Sequence, residues 1–335
     1  MALKIGINGF GRIGRLVFRE AWDDPDIEVV SVNDLIDASL MAHLLKYDSV
    51  HGVFQHDIEL VEGGFSVEGS FVRVQNGREL SHLDWSESGA QLIVESTGRF
   101  KDARDAHAHI TAGAQRVIIT APASNEDATI VMGINENIYD PSKHFVVSNA
   151  SCTTNCLAPV AKVLHEQFGI QQGYMNTVHA YTNDQMLLDS ANKDYRRARA
   201  GAVSVIPTST GAAKAIGLVL PELKGKLDGI AMRVPVPDGS AVDLVCVLEK
   251  PATRDEINLA MQTAAEGPLK GYLEYCQEPI VSVDIIGNPA SSIFDSLLTS
   301  VMGGGSGNFV RCVSWYDNEY GYTCRTLDLA KYMMH

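Results

Sequence analysis

A cysteine capable of nucleophilic chemistry stands in the block Ala150-Ser151-Cys152-Thr153-Thr154-Asn155-Cys156. The block follows a strand-like run, Phe145 to Ser148, and opens a helix-like stretch ending near Phe168. Cys152 is therefore expected at or near a helix N-terminus, where the macrodipole favours a thiolate. Ser151 and Thr153 place hydroxyls beside the same ring of unpaired N–H groups, so an oxyanion or phosphate could bind there. A thiol near its ordinary pKa of about 8.5 is mostly protonated at neutral pH, so a partner base is needed. Of the ten histidines, His179 is the natural candidate, because it ends the strand-like run Tyr174 to Val178. A hydrogen-bonded core histidine is the alternative, and spacing alone does not choose between them. Cys156, one helical turn beyond Cys152, reads as a small buried apolar residue. His107 and His109 lie two apart on a predicted helix and point to different sides, so they read as solvated rather than as metal ligands. There is no H-E-x-x-H and no paired C-x-x-C, so no metal site is expected.

The second chemical feature is the run Gly9-Phe10-Gly11-Arg12-Ile13-Gly14. Alone it would be weak. Here it follows a predicted strand (Leu3 to Asn8) and opens a predicted helix, and an acid, Asp34, ends the next strand 20 residues beyond Gly14. That context points to a dinucleotide. Gly9 would permit the tight turn, Gly11 would let backbone approach a pyrophosphate, and Gly14 would let helix and strand pack closely. Asp34 would accept hydrogen bonds from ribose hydroxyls.

Alternating elements must position these groups. Ile27 to Val32, Gln91 to Glu95, Val117 to Ile119 and Phe145 to Ser148 read as short strands, with a helix over Asp102 to Ala112 that stops at Gly113. Alternation of this kind predicts a Rossmann-type parallel sheet with helices on its faces. Beyond residue 150 the strands lengthen: Tyr174 to Tyr181, Gly229 to Val234, Val242 to Leu248 and Phe309 to Trp315. Thr253-Arg254-Asp255-Glu256 is a capping box opening a helix through Ala265. This half reads as an α+β domain with a mostly antiparallel sheet. The expected division is a dinucleotide-binding domain over 1–150, a catalytic domain over 151–317, and a C-terminal helix over 318–335 returning to the first.

Bulk properties limit the function. The 335 residues are 45% apolar and 20% charged, with 27 basic and 41 acidic side chains and a net charge of −14. Disorder is excluded by that apolar content, and binding to nucleic acid or an anionic membrane is disfavoured by the charge. The N-terminus lacks the pattern of a secretory signal, and the longest uncharged stretch, His144 to Ala161, is too polar at its middle for lipid. A soluble cytoplasmic protein with six reduced cysteines is expected.

These residues resemble the phosphorylating, glycolytic glyceraldehyde-3-phosphate dehydrogenases over essentially the whole chain. The resemblance is carried by Asn8 to Arg15, Leu44 to Ser49, the Ala150 to Cys156 block, His179-Ala180-Tyr181-Thr182, Arg196 to Ala200, Thr210 to Lys214, Arg233-Val234-Pro235 and Trp315 to Glu319. It implies that Cys152 attacks the aldehyde, that His179 acts as base, and that hydride passes to NAD. It further implies that Thr182 and Arg233 hold the substrate phosphate, and that Ser151, Thr153, Arg197, Thr210 and Gly211 hold the attacking inorganic phosphate. The cofactor would lie along Arg12, Ile13, Asp34, Arg78 and Thr120, with Asn318 fixing the carboxamide. A homotetramer is implied, with a loop over about Thr182 to Ser209 reaching a neighbouring subunit. Read without the resemblance, Arg196, Arg197 and Arg199 would be a solvated run pairing with surface acids.

One departure bears on the cofactor. Strictly NAD-using members commonly carry Leu-Pro on that loop, where this chain has Ser190-Ala191. NAD with some tolerance of NADP is therefore the expectation. Rival readings are a dehydrogenase of a related phosphorylated aldose such as erythrose 4-phosphate, an amino-acid semialdehyde dehydrogenase, and a catalytically silent NAD- or RNA-binding protein. The threonine–arginine set disfavours the first two, and the intact thiol and the charge disfavour the third.

Overall fold

The structure is a computed structural model that describes residues 2–303 and 305–334. The chain forms two compact units. The first runs to Ile130, resumes from Glu136 to Ala150 and takes up the chain again from Thr323; the second holds Val131–Asn135 and Ser151–Tyr322.

The first unit contains β1 (Leu3–Asn8), α1 (Arg12–Trp22), β2 (Ile27–Asn33), α2 (Ala38–Lys46), β3 (Tyr47–Asp48), β4 (Gly52–Val53), β5 (Ile58–Val61), β6 (Gly64–Val67), β7 (Ser70–Gln75), β8 (Leu92–Glu95), α3 (Ala103–Ala106), α4 (Ala108–Thr111), β9 (Arg116–Ile119), β10 (Ala128–Thr129) and β11 (Val146–Ser148). Nine of these strands make one sheet in the order β10-β11-β9-β8-β1-β2-β7-β6-β5. The ladders from β10 through β7 are parallel, as the strand–helix alternation predicts, while β7-β6-β5 is an antiparallel meander at one edge. The central strands β1 and β8 are buried on both faces over most of their length; Ile5, Ile7, Leu92, Ile93 and Val94 are solvent-free, and the polar residues Asn8 and Glu95 end the two strands. Chain order reverses at β1, which has β2 on one side and β8 on the other, so the crevice outside the carboxyl ends of β1 and β8 is a topological switch point.

Two expectations in this unit need correction. The helix over Asp102 to Ala112 is two single turns, α3 and α4, parted at His107, although it does stop at Gly113, whose φ is +110°. His109 is not solvated. It is fully buried, and its ring bonds Trp85 and Glu95; His107 is exposed. The break at His107 turns His109 inward.

The second unit contains α5 (Cys152–Phe168), β12 (Ile170–Ala180), β13 (Ile206–Ser209), α6 (Ala212–Val219), β14 (Leu227–Val234), β15 (Ser240–Thr253), α7 (Arg254–Glu266), β16 (Leu273–Cys276), β17 (Ser292–Met302) and β18 (Ser306–Tyr316). Seven strands form a sheet in the order β13-β14-β12-β15-β18-β17-β16, with four antiparallel ladders and two parallel ones. Helices α5, α6 and α7 pack on one face. Met175, Leu244 and Cys312, in register on three adjacent strands, are buried under them. Thr253 and Glu256 form both reciprocal bonds of the capping box that opens α7. The opposite face carries Tyr174, Val178, Phe309 and Met302, each exposed in the single chain.

The last helix, α8 (Tyr320–Met334), lies for most of its length in the first unit. There Lys331 bonds Asp24 at 2.7 Å and the Thr326 hydroxyl accepts Asn149 Nδ2 at 3.1 Å. Among the described residues no helix is long and apolar enough to cross a membrane.

Candidate active site

Cys152 is the first residue of α5. Ser151 is the N-cap, its hydroxyl accepting the Thr154 N–H at 3.0 Å. Ala150, just before it, is buried and sits in the left-handed region at φ +54°. An alanine held there costs of order 1 kcal/mol and marks a constrained turn next to the nucleophile.

His179, near the end of β12, brings Nε2 to 3.5 Å from Cys152 Sγ. Its Nδ1 lies 2.7 Å from the Ala180 carbonyl oxygen and 2.8 Å from Arg233 Nη1. A carbonyl oxygen only accepts and a guanidinium only donates, so the two contacts ask opposite things of Nδ1; a proton on Nδ1 leaves both groups paired, because Arg233 has a second acceptor in the same carbonyl. Arg233 Nη1 then donates to the same carbonyl, 3.1 Å away. The tautomer so fixed leaves the Nε2 lone pair facing the thiol. The Tyr316 ring meets the imidazole edge-on with centroids 5.9 Å apart, and the Tyr316 hydroxyl bonds both Thr153 and Thr177 at 2.8 Å.

Burial governs the protonation of this pair. It pushes the Cys152 thiol up to about 11, against the opposing pull of the Arg233 guanidinium and of Thr153. It pushes His179 down to about 3, and Arg233 acts in the same direction. The helix N-terminus alone therefore does not make Cys152 a free thiolate. Neither charge is favoured alone; passing the proton from Sγ to Nε2 offsets part of both penalties, because the charges it creates attract. Opposite charges at this separation attract by roughly 4–5 kcal/mol at an effective dielectric of about 20. Asp238, buried nearby, is pushed up to about 9 by its own burial and by the Asp317 and Glu319 carboxylates.

The other expected anion-binding residues lie in the same unit. Arg233 is largely buried, and its Nε has no hydrogen-bond partner. The Thr182 N–H donates to Gln185 Oε1 at 2.8 Å. Arg197 donates to Thr208 Oγ1 at 2.7 Å and pairs with Asp184 and Asp194; Arg199 pairs with Asp189 at 2.7 Å. In this state Arg197 and Arg199 are satisfied by acids. Thr210 accepts the Ala212 N–H at 3.2 Å, and Gly211 caps α6 with no side-chain bond. The Thr153 hydroxyl is engaged by Tyr316. Asn318 is buried, and its Oδ1 accepts the Ser240 hydroxyl at 2.5 Å, while Ser240 Oγ accepts the Ala180 N–H at 3.1 Å. Asn318 is thereby tied to the strand that carries His179. Sequence reasoning gave no role to Ser240 or Tyr316, which face each other in the register of β15 and β18.

In the first unit a cleft of about 290 Å³ is lined by Gly9, Gly11, Asp34 and Arg78, and also by Asn8, Asn33, Leu35, Gly77, Ser96, Thr97, Arg99 and Phe100. The second group was not singled out from sequence, although each of these residues ends or follows a strand. Gly9 takes φ +94°, and a Cβ at Gly14 would collide with the Gly9 carbonyl oxygen. A Cβ at Gly11 would meet nothing within 4 Å, so a ligand can come close to the backbone at the start of α1. Arg12 and Ile13 form the first turn of α1; Arg12 is held by Asp48 at 2.7 Å. Asp34 is oriented by the Phe10 N–H at 2.7 Å and the Leu35 N–H at 2.6 Å. Thr120 lies just past β9 and donates through both its N–H and hydroxyl to the Glu95 carbonyl; it is not among the residues of the cleft wall. A glycine cradle, a helix N-terminus and a carboxylate at the next strand end fit a dinucleotide.

One unit built around such a cradle and another holding a cysteine–histidine pair on a mostly antiparallel sheet define a class of two-unit dinucleotide-binding chains with a thiol nucleophile. Comparison with known proteins narrows this. Residues 3–103 match the family model of the glyceraldehyde 3-phosphate dehydrogenase NAD binding domain, and residues 151–318 match that of its C-terminal domain. Glyceraldehyde-3-phosphate dehydrogenase of Geobacillus stearothermophilus is 60% identical over 333 residues, covering 99% of this chain and 98% of the relative. Glyceraldehyde-3-phosphate dehydrogenase 1 of Bacillus subtilis is 57% identical with the same coverage. Glyceraldehyde-3-phosphate dehydrogenase 2 of Streptomyces avermitilis is 54% identical over 334 residues, 99% of each. The chain belongs to the glyceraldehyde-3-phosphate dehydrogenase family.

Proposed function

We propose that this protein catalyses the NAD-dependent, phosphorylating oxidation of glyceraldehyde 3-phosphate to 1,3-bisphosphoglycerate. The observation that carries the chemistry is the 3.5 Å approach of His179 Nε2 to Cys152 Sγ, with Nδ1–H committed to Ala180. Cys152 Sγ attacks the aldehyde carbon while its proton passes to Nε2, forming a thiohemiacetal. The Cys152 N–H, at the start of α5, and the imidazolium stabilise the oxyanion. The imidazolium hands its proton to the oxyanion, and His179, neutral again, takes it back as the thiohemiacetal is oxidised to a thioester. When bound, NAD supplies the hydride acceptor. Inorganic phosphate then attacks the thioester carbonyl, and Cys152 leaves as the sulfur anion that His179 reprotonates. Arg233 and Thr182 hold the substrate phosphate. Arg197, Thr210, Gly211, Ser151 and Thr153 serve the attacking phosphate, with Arg197 exchanging Asp184 for the anion.

Gly9, Gly11, Gly14, Arg12 and Ile13 cradle the pyrophosphate, Asp34 takes the ribose hydroxyls, Arg78 borders the cleft, Thr120 lies beyond its wall and Asn318 orients the carboxamide. The Asp34 carboxylate repels a 2′-phosphate, so NAD is the main cofactor, and Ser190-Ala191 leaves room for some use of NADP. The test is NADH formation from glyceraldehyde 3-phosphate with and without inorganic phosphate, repeated with NADP. Sustained turnover only with phosphate, and a higher kcat/KM for NAD, is expected. Phosphate-independent turnover would instead indicate a hydrolytic dehydrogenase.

The cytoplasm is the proposed compartment, and a homotetramer the proposed assembly. The uncovered face of the second sheet supports self-association. Tyr174, Val178, Phe309 and Met302 make it apolar around the Arg311–Asp243 ion pair, and Asn176 Oδ1 is buried without a partner. A single chain leaves such a patch in water at a cost, and a second copy covers it. Light scattering should give four times the chain mass, and Phe309→Glu should halve or quarter it. A monomeric native protein would refute the assembly.

A further inference from the structure

Beneath the dinucleotide cleft runs a chain of buried polar side chains that the reaction itself does not use. Glu95, the last residue of β8, is 2% exposed. Its Oε2 accepts Asn8 Nδ2 at 2.5 Å and His109 Nε2 at 3.0 Å. Its Oε1 accepts the Thr97 N–H at 2.9 Å and the Thr97 hydroxyl. His109, solvent-free, accepts the Trp85 indole N–H on Nδ1 at 3.0 Å. An indole nitrogen only donates, so His109 carries its proton on Nε2 and presents it to Glu95. On the other side, Asn8 Oδ1 accepts Asn33 Nδ2 at 2.6 Å, and Asn33 Oδ1 accepts the Gly77 N–H at 2.9 Å.

The ends of this chain are walls of the cleft. Asn8, Asn33, Gly77 and Thr97 all line it. Asn8 ends β1 and leads into the glycine turn. The Gly9 backbone approaches the Thr97 backbone so closely that a Cβ on Gly9 would strike it. β1 and β8 flank the switch-point crevice, so one carboxylate fastens together the two strand ends between which a dinucleotide lies. Apolar side chains would fill this volume with less desolvation cost. A carboxylate does what they cannot, accepting four donors from the end of β1, the segment after β8 and a helix turn at fixed spacing. We propose that Glu95, oriented by His109 and Trp85, is a positioning residue for the cofactor. It sets the separation of Asn8 and Thr97, and through them the glycine turn and the cleft wall. This rests on the reading of the cleft as the NAD site.

The test is direct NAD binding, by equilibrium dialysis of the full chain. Glu95→Gln turns one acceptor into a donor facing donors, and the unpaired groups should raise the dissociation constant about 10- to 100-fold. His109→Leu removes one donor and strands the Trp85 N–H, and should raise it about 10-fold. His109→Gln can both donate to Glu95 and accept from Trp85, and should restore binding to within about threefold of native. Val30→Ala, in the same core cluster as Trp85 and Ile93, is the control for loss of stability. It should lower Tm and leave the dissociation constant within about twofold. Native-like NAD binding in both Glu95→Gln and His109→Leu would overturn the proposal, as would equal weakening by Val30→Ala at a matched loss of Tm. A native protein that binds no NAD would instead overturn the reading of the cleft.

Discussion

Cys152→Ser abolishes aldehyde oxidation, by at least about 10⁴-fold in kcat, while NAD binding stays close to native. The size follows from the chemistry. The serine hydroxyl ionises far less readily than a thiol, and His179 Nε2, pushed down to about 3 by burial and by Arg233, is too weak a base to take its proton before attack. An alkoxide is also a poorer leaving group than a thiolate, so an ester formed at residue 152 would resist phosphate. Removing a nucleophile that works as one unit with its base costs rates of this order. The measurement is twofold. The first is the burst of NADH on mixing with glyceraldehyde 3-phosphate and NAD without phosphate. The second is the mass of the protein afterwards, which gains the acyl group in the native chain alone. Cys156 does not rescue the variant. It lies fully buried under the sheet against Ser292 and Ser314, and burial pushes its thiol up to about 12. A burst in Cys152→Ser would show that another nucleophile carries the reaction.

What sequence made legible here divides by the range of the interaction. The glycine turn is local: strand, turn, helix and the acid ending the next strand lie within 32 residues, and their spacing prescribes the cradle that forms. The capping box of α7 and the helix start at Cys152 are local in the same way. The pairing of Cys152 with His179 is not. It depends on α5 crossing back so that β12 delivers its last residues beneath the helix N-terminus, and spacing alone made His179 a candidate without separating a base from a core histidine. Resemblance supplied that pairing, and the 3.5 Å contact now gives it a geometry. The support beneath the pair was invisible because the Tyr316 hydroxyl, on β18, meets Thr177 of β12 and Thr153 of α5, elements far apart in the chain. His109 was misread because helical spacing was applied across a helix that breaks at His107. The meander β5-β6-β7 went unread because its turns use Glu62-Gly63 and Glu68-Gly69, with both residues of the second at positive φ, instead of the commoner Asn-Gly or Asp-Gly. The arginine run was legible in both of its aspects. Acids hold Arg197 and Arg199 now, and the forked guanidinium that Asp184 occupies is the group a phosphate would need.

The largest effect after loss of the sulfur belongs to its base. His179→Asn should slow acylation about 100- to 10,000-fold, the usual contribution of a positioned general base. The variant should also change how the thiol responds to pH. In the native chain Nε2 stands ready to receive the thiol proton, and the charges that result attract. In the variant no acceptor occupies that place, and the thiol keeps the value that burial imposes, about 11. Below that value the thiolate fraction rises tenfold per pH unit, so iodoacetamide labelling of Cys152 in His179→Asn should climb about tenfold for each unit between pH 7 and 10. The native enzyme should label faster at pH 7 and rise less steeply, because its proton acceptor is internal. Arg233 lowers both partners, which favours the thiolate and disfavours the imidazolium. Arg233→Met in the His179→Asn background should therefore move the labelling curve further towards alkaline pH, with no imidazole left to compensate. A flat labelling profile in His179→Asn, or an unchanged acylation burst, would mean that the sulfur is activated by something other than the ring 3.5 Å away.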